Sequence, residues 1–251
     1  MTYEKLKSGL IVPRGHVNRR RFLAGLGAAI IVPKPARAQL MVNELVGFGA
    51  GGVKTPTLTY IGSSPLTTNA TSYNFGNFTA ATAGLMIVVA MATSGGSPSI
   101  SGVSIGGTAG TIHYNTGAGA KVVAIASRVV SAGANNVTVT TSSNGNNCAV
   151  SVYLLTDYVS ATPTTGATNT GTGTSLAASF TIPAGSAAVF GVTHANTNAT
   201  SWSVGTGNYD ATNETIRVSS ASLTTQSVIS GGSTASWTGS VAAAIAGATW
   251  S

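Results

Sequence analysis

From Thr57 to the end of the chain, apolar segments of strand length alternate with short clusters of Gly, Ser and Asn. That rhythm points to β-structure and leaves little room for helix. Leu85 to Ala92 is an apolar run of eight residues. It is too short to span a membrane and suits a strand buried on both faces. Lys121 to Val130 is rich in Val, Ile and Ala. Val137-Thr138-Val139-Thr140 alternates with a period of two, the turn-forming set Ser142 to Asn147 follows, and Cys148 to Leu155 returns as the second arm of a hairpin. Ser175 to Ile182, Ala187 to His194, Thr215 to Ser220, Leu223 to Ile229 and Val241 to Trp250 continue the series, each gap marked by Gly, Ser or Asn. After residue 40 the one stretch that also fits a helix is Val241 to Ala246.

An internal duplication decides that stretch. Leu85 to Val89, Ile100 to Gly107, Lys121 to Ala124, Val137 to Thr140 and Cys148 to Leu155 succeed one another in the first half. Ala187 to Val192, Ser201 to Gly207, Ile216 to Val218, Thr234 to Trp237 and Val241 to Gly247 repeat the order in the second. Val241 to Gly247 then corresponds to Cys148 to Leu155 and is expected to be a strand. The pseudo-repeats run over about 72–155 and 175–250, joined by the Thr-, Ala- and Gly-rich linker Ser160 to Gly173. The expected fold is all-β: a jelly-roll-like β-sandwich of two Greek-key halves sharing one core. Two separate small sandwiches are the alternative.

Charge excludes one class of partner. Only 7% of the residues are charged, and the formal net charge is +7. The excess lies in the first 38 residues, and beyond them Lys54, Lys121, Arg128 and Arg217 balance Glu44, Asp157, Asp210 and Glu214. A protein that neutralises phosphates needs Lys and Arg clustered on one face, so no nucleic-acid partner is expected. The lone Cys148 lies in an apolar stretch and reads as a small buried hydrophobe rather than a nucleophile.

The basic N-terminus has its own logic. Arg19-Arg20, then Phe22-Leu23, then a ten-residue apolar run to Val32, then Lys34 and Ala36-Arg37-Ala38 resemble a twin-arginine export signal. Asn18 stands where that family usually has Ser or Thr. The resemblance implies a signal peptide over 1–38, cut after Ala38, and export to the periplasm, the cell surface or beyond. An uncleaved N-terminal anchor is the alternative and would be the only membrane contact. Because that route carries folded proteins, the resemblance also argues against an outer-membrane barrel. Residues 39–56 follow as a glycine-rich linker. Gly47, Gly49 and Gly52 match a dinucleotide-loop spacing, but Pro56 and a strand follow where the motif needs a helix.

The alternation over 57–251, with Val-Ser-Ile-Gly-Gly (103–107), Val-Tyr-Leu-Leu-Thr (152–156) and Phe-Thr-Ile-Pro-Ala-Gly (180–185), resembles β-sandwich proteins from the tail and virion genes of bacteriophages and prophages. That likeness implies a structural or surface-attachment role.

Few residues offer chemistry. Past the signal the chain keeps four acidic residues and two histidines. Asp210 and Glu214 are close enough in sequence to suggest a weak Ca²⁺ site, although the loop lacks the ligand count of an EF-hand. His113 and His194 lie at strand ends. A triad of His194, Asp157 and a serine can be drawn, but no Gly-x-Ser-x-Gly elbow positions a nucleophile. Trp202, Tyr209 and Trp237 are the candidate ligand-binding residues, since aromatic faces can stack on sugars. Core filling is the competing role for the tryptophans. The expectation is a non-enzymatic exported or virion-associated structural or attachment protein, without cofactor or resident metal, that associates with itself or with other surface proteins. A secreted carbohydrate-binding module that takes glycans is the alternative, and a secreted hydrolase a third.

Overall fold

The structure, a computed structural model, describes residues 3–5, 11–13, 55–93, 99–116, 120–145 and 147–251. The export segment at 18–38 and nearly all of the glycine-rich linker lie outside the described residues. The chain divides into two compact units, Met1–Gly52 and Val53–Ser251. In the first, β1 (Tyr3–Lys5) pairs antiparallel with β2 (Ile11–Pro13), Glu4 opposite Val12.

The second unit is all-β, a sandwich built of three antiparallel sheets. One has the order β4 (Ala70–Ala80), β10 (Gly133–Gly145), β6 (Ile100–Ile105), β7 (Thr108–Ala109). Another runs β3 (Thr57–Leu66), β11 (Asn147–Thr156), β5 (Gly84–Thr93), β9 (Lys121–Val130), β8 (Thr111–Asn115). The last runs β12 (Thr165–Ala178), β17 (Ser233–Trp250), β13 (Ser186–His194), β16 (Ile216–Thr225), β15 (Thr206–Asn213), and β14 (Ser201–Trp202) pairs separately with β17. Among the described residues no helix is long and apolar enough to cross a membrane.

The pleat of the five-stranded sheet explains the stacking. Successive side chains of a strand point to opposite faces. On β5, Met86, Val88, Ala90 and Ala92 join Val150 and Val152 of β11 in a core shared with Tyr73 and Phe78 of β4 and Val137 and Val139 of β10. The alternate residues Leu85, Ile87, Val89 and Met91 join Val123, Ile125 and Tyr153 against Ala187, Val189, Ala246 and Trp250 of the six-stranded sheet. The five-stranded sheet is therefore the middle layer, covered on both faces, and β5 and β13 are buried along their whole lengths. Small residues let the layers approach. A Cβ on Gly191 would overlap Val89, and one on Gly247 would lie 2.7 Å from Phe190.

The two halves share a strand order. The order β3-β11-β5-β9-β8 is matched by β12-β17-β13-β16-β15, and the edge strands β8 and β15 are both bulged just before a tyrosine, Tyr114 and Tyr209. Val241 to Ala246 is strand, within β17. In the second half the outer layer comes from the same two strands. β12 and β17 are offset by a bulge between Gly173 and Ser175, and Gly239 takes a positive φ of 86°. The ribbon turns back there, so that Ala235 and Trp237 cover Val192, Ala243 and Ile245. Each half thus has hydrophobic contacts of its own, besides the core where they meet.

The hairpin expected of Val137 to Thr140 and Cys148 to Leu155 does not form, because β10 belongs to the four-stranded sheet and β11 to the five-stranded one, so the chain crosses between layers at that turn. Part of the expected linker also differs from expectation. From Thr165 to Gly173 it is strand, in register with Thr249 back to Val241. Thr is β-branched and favours extended backbone, and β17 offers an open row of partners.

Candidate functional site

Polar and aromatic side chains gather where β13 ends. His194, the last residue of β13, lies between Arg217 of β16 and Ala243 of β17 in register. Its ring is fully buried and stacks on the indole of Trp237, centroids 4.4 Å apart and planes 17° from parallel. Its Nε2 pairs with Thr200 Oγ1 at 3.0 Å, and its Nδ1 is buried without a hydrogen bond. Burial is the main cause that holds the imidazole pKa down, to about 4, against the pull of Asp210 toward the charged form. His194 is therefore neutral at ordinary pH.

The loop after β13 is strapped in place. Asn196 and Asn198 both donate through their Nδ2 to Thr238 O, at 3.0 and 2.8 Å. The Thr200 N–H donates to Asp210 Oδ2. Asp210 takes a two-pronged contact from Arg217, Nε to Oδ1 at 2.7 Å and a terminal nitrogen to Oδ2 at 2.5 Å. Arg217 also donates to Thr212 Oγ1. The carboxylate raises the arginine pKa further. This diagonal pair joins β15 to β16, the cross-strand geometry that supports a sheet.

The sequence candidates take these places. Trp237 is 6% exposed, its ring covered by His194 and its Nε1 donating to Gly173 O at 3.0 Å. Trp202 is half-buried, donates to Ser219 Oγ at 3.0 Å and tilts against Phe190. Both tryptophans belong to one small core. Tyr209 packs instead at the face between the halves, its hydroxyl buried without a partner. Asp210 and Glu214 have different partners. Glu214 sits in the β15–β16 turn with φ 58° and accepts from Asn147 Nδ2 at 3.2 Å, tying that turn to the first half. Among the described residues no group of three or more His, Cys, Asp or Glu side chains could hold a metal. Cys148 is buried, and burial pushes its thiol pKa far up.

The His194–Asp157–serine triad drawn from the sequence has no counterpart at His194, whose hydrogen-bond partner is Thr200. In a nucleophile relay the second ring nitrogen is held by an acid, whereas Nδ1 of His194 has no partner and the Asp210 carboxylate faces Arg217. His113 Nε2 lies 2.8 Å from Ser127 Oγ, in a shallow groove with Arg128 and Thr162. Ser127 is only 3% exposed. The alternation of the sequence placed His194 and Trp237 on strands, whereas Asp210, read there as part of a loop, lies on β15. It gave no sign of the His194–Trp237 stack, because the partners are distant in sequence and meet only when β17 turns back.

No family model matches the chain, and no curated protein matches it. Among solved structures, that of the PBSX exported protein XepA is similar over 77% of this chain and 86% of its own, with 10% identity and a TM-score of 0.23. A superposition that loose assigns neither activity nor partner to this chain.

Proposed function

We propose that the protein is a non-enzymatic, exported or virion-associated structural protein that works by attachment or assembly. One observation carries this reading: the groups able to do chemistry are engaged within the fold. Asp210 holds Arg217, Glu214 holds Asn147, and the face of Trp237 covers His194. What the sandwich offers outward is mainly Ser, Thr, Asn and Gly. From residue 55 on, the described charges are Lys121, Arg128 and Arg217 against Asp157, Asp210 and Glu214. A neutral hydroxyl- and amide-rich surface suits contact with other neutral surfaces and gives little electrostatic steering.

The test is a panel of ester, glycoside and peptide substrates offered to the full chain. The expected result is no turnover above the uncatalysed rate. Turnover that disappears in His113→Ala or His194→Ala would replace this reading with a hydrolase.

A further inference from the structure

A short outer ribbon covers His194. It is the start of β17, where Ser233 to Ser236 pair with Ala178 back to Ser175 on one side, and Ala235 and Ser236 pair with Trp202 and Ser201 on the other. Glycines of positive φ bound it, Gly231 and Gly232 at one end and Gly239 at the other, at 86°, 63° and 86°. A Cβ on Gly231 would meet nothing within 4 Å, and one on Gly239 only the Asn196 carboxamide. These positions favour glycine and leave the chain free to turn there. Of the residues from Ser233 to Thr238, Trp237 is the one large side chain. The apolar layer beneath is thin, chiefly Val192, Ala243 and Ile245. Segments with so little buried apolar contact open before the fold as a whole.

The ribbon lies over an ionisable group. His194 is fully buried under Trp237, and its Nδ1 has no hydrogen bond. The charged groups that face it are Asp210 of β15 and Arg217 of β16, and these hold each other. Tyr209 of β15 packs toward the other half. β12, β14, β17 and the loop from Ala195 to Thr200 carry no ionisable side chain. The imidazole gains water, and with it a stable charge, once its cover lifts. We propose that Ser233 to Thr238 form a flap that lets go of the six-stranded sheet when His194 takes a proton, while the strands beneath keep their pairing. Release gives up the ring stack, the Trp237 Nε1 bond to Gly173 O and the two carboxamide bonds to Thr238 O. It exposes Trp237 and the apolar side chains of Val192 and Ile245. Above pH 6.5 the ring is neutral in both forms and the flap stays shut. Between pH 6.5 and about 4 only the open form takes the proton, so acid opens the flap.

The experiment is amide hydrogen exchange of the full chain between pH 8 and pH 5, read by mass spectrometry on peptides from the flap and from β5. Each rate is divided by that of the same peptide without structure. The flap amides are expected to open more readily than those of β5 at every pH. Their opening is expected to rise about thirtyfold from pH 8 to pH 5. His194→Phe keeps a flat ring under Trp237 and is expected to hold the flap's opening level across that range. The first two readings come from the natural chain, so they decide the matter even where the variant folds poorly. Flap amides that exchange only in step with β5 would show that the whole fold opens at once, and would overturn the proposal. So would a flap that opens equally at pH 8 and pH 5, or one that still responds to acid in His194→Phe. None of these outcomes touches the absence of turnover, so the flap can fail while the proposed role stands.

Discussion

The imidazole of His194 lies flat against the indole of Trp237, ring centroids 4.4 Å apart, in a spot that water does not reach. The stack closes the small outer core of the second half, and it needs a neutral ring. A charged imidazole there would be cut off from water, a cost that Asp210 and Asn196 offset only in part.

Acid should therefore weaken the fold. Unfolded, His194 takes a proton near pH 6.5, while folded it resists until about pH 4. Above pH 6.5 both states are neutral, and the full stability is present. Between pH 6.5 and 4 the unfolded chain binds the extra proton, and stability falls by up to roughly 3 kcal/mol. His113, also held down by burial, acts in the same direction. Urea midpoints at pH 7, 5.5 and 4 are expected to decline, and His194→Phe to flatten most of the slope. Midpoints that stay level in the natural chain would contradict the stack.

The two halves are locked by a buried polar chain. The Tyr153 hydroxyl is 2.9 Å from Ser220 Oγ and 3.2 Å from Asn208 Oδ1, and Ser220 Oγ donates to Ser151 Oγ at 2.8 Å. Burial drives the phenol pKa far above its ordinary value. Tyr153→Phe should cost about 1–2 kcal/mol by thermal or urea unfolding. In alkaline absorbance titrations Tyr153 should be among the tyrosines that ionise only as the protein unfolds, and Tyr153→Phe should reduce that late signal.

The Arg217–Asp210 pair is shielded on most sides, its side chains 16% and 26% exposed. Replacing one partner leaves the other poorly solvated. Asp210→Asn and Arg217→Gln should each destabilise by about 1 kcal/mol, and the double variant by less than the sum. Additive losses would show that the pair contributes nothing as a pair.

Gly191 lies where the six-stranded sheet meets the middle sheet, and an added Cβ there would overlap Val89. Gly191→Ala should lower stability by about 1–3 kcal/mol through overpacking. Val89→Ala in the same chain should recover part of that loss, because it makes room at the contact.

The sequence revealed strands better than it revealed layers. The apolar run Leu85 to Ala92 implied a strand covered on both faces, and β5 is one. Val241 to Ala246 is poor in local signal, since alanine favours helix, yet its place in the repeat pointed to the strand it forms. What covers each face of β5 was not legible, because the alternation of Met86 with Ile87 names two faces and not their partners. Thr165 to Gly173 read as a linker because its Thr and Gly residues carry no apolar alternation. It forms a strand because it pairs along β17, a contact made about 80 residues away. At the candidate site, tryptophan identity alone allowed a sugar platform or a core. Only the turn-back of β17 at Gly239 puts Trp237 under His194.

The most direct test of a structural, attachment-type role is where the protein resides in its native host. Antibody against the full chain should find it, after fractionation, at the cell surface, in the periplasm or in released particles, with the proportion unchanged at high salt because few charges take part. Recovery entirely in the soluble cytoplasmic fraction, or release from its fraction by salt alone, would contradict the account.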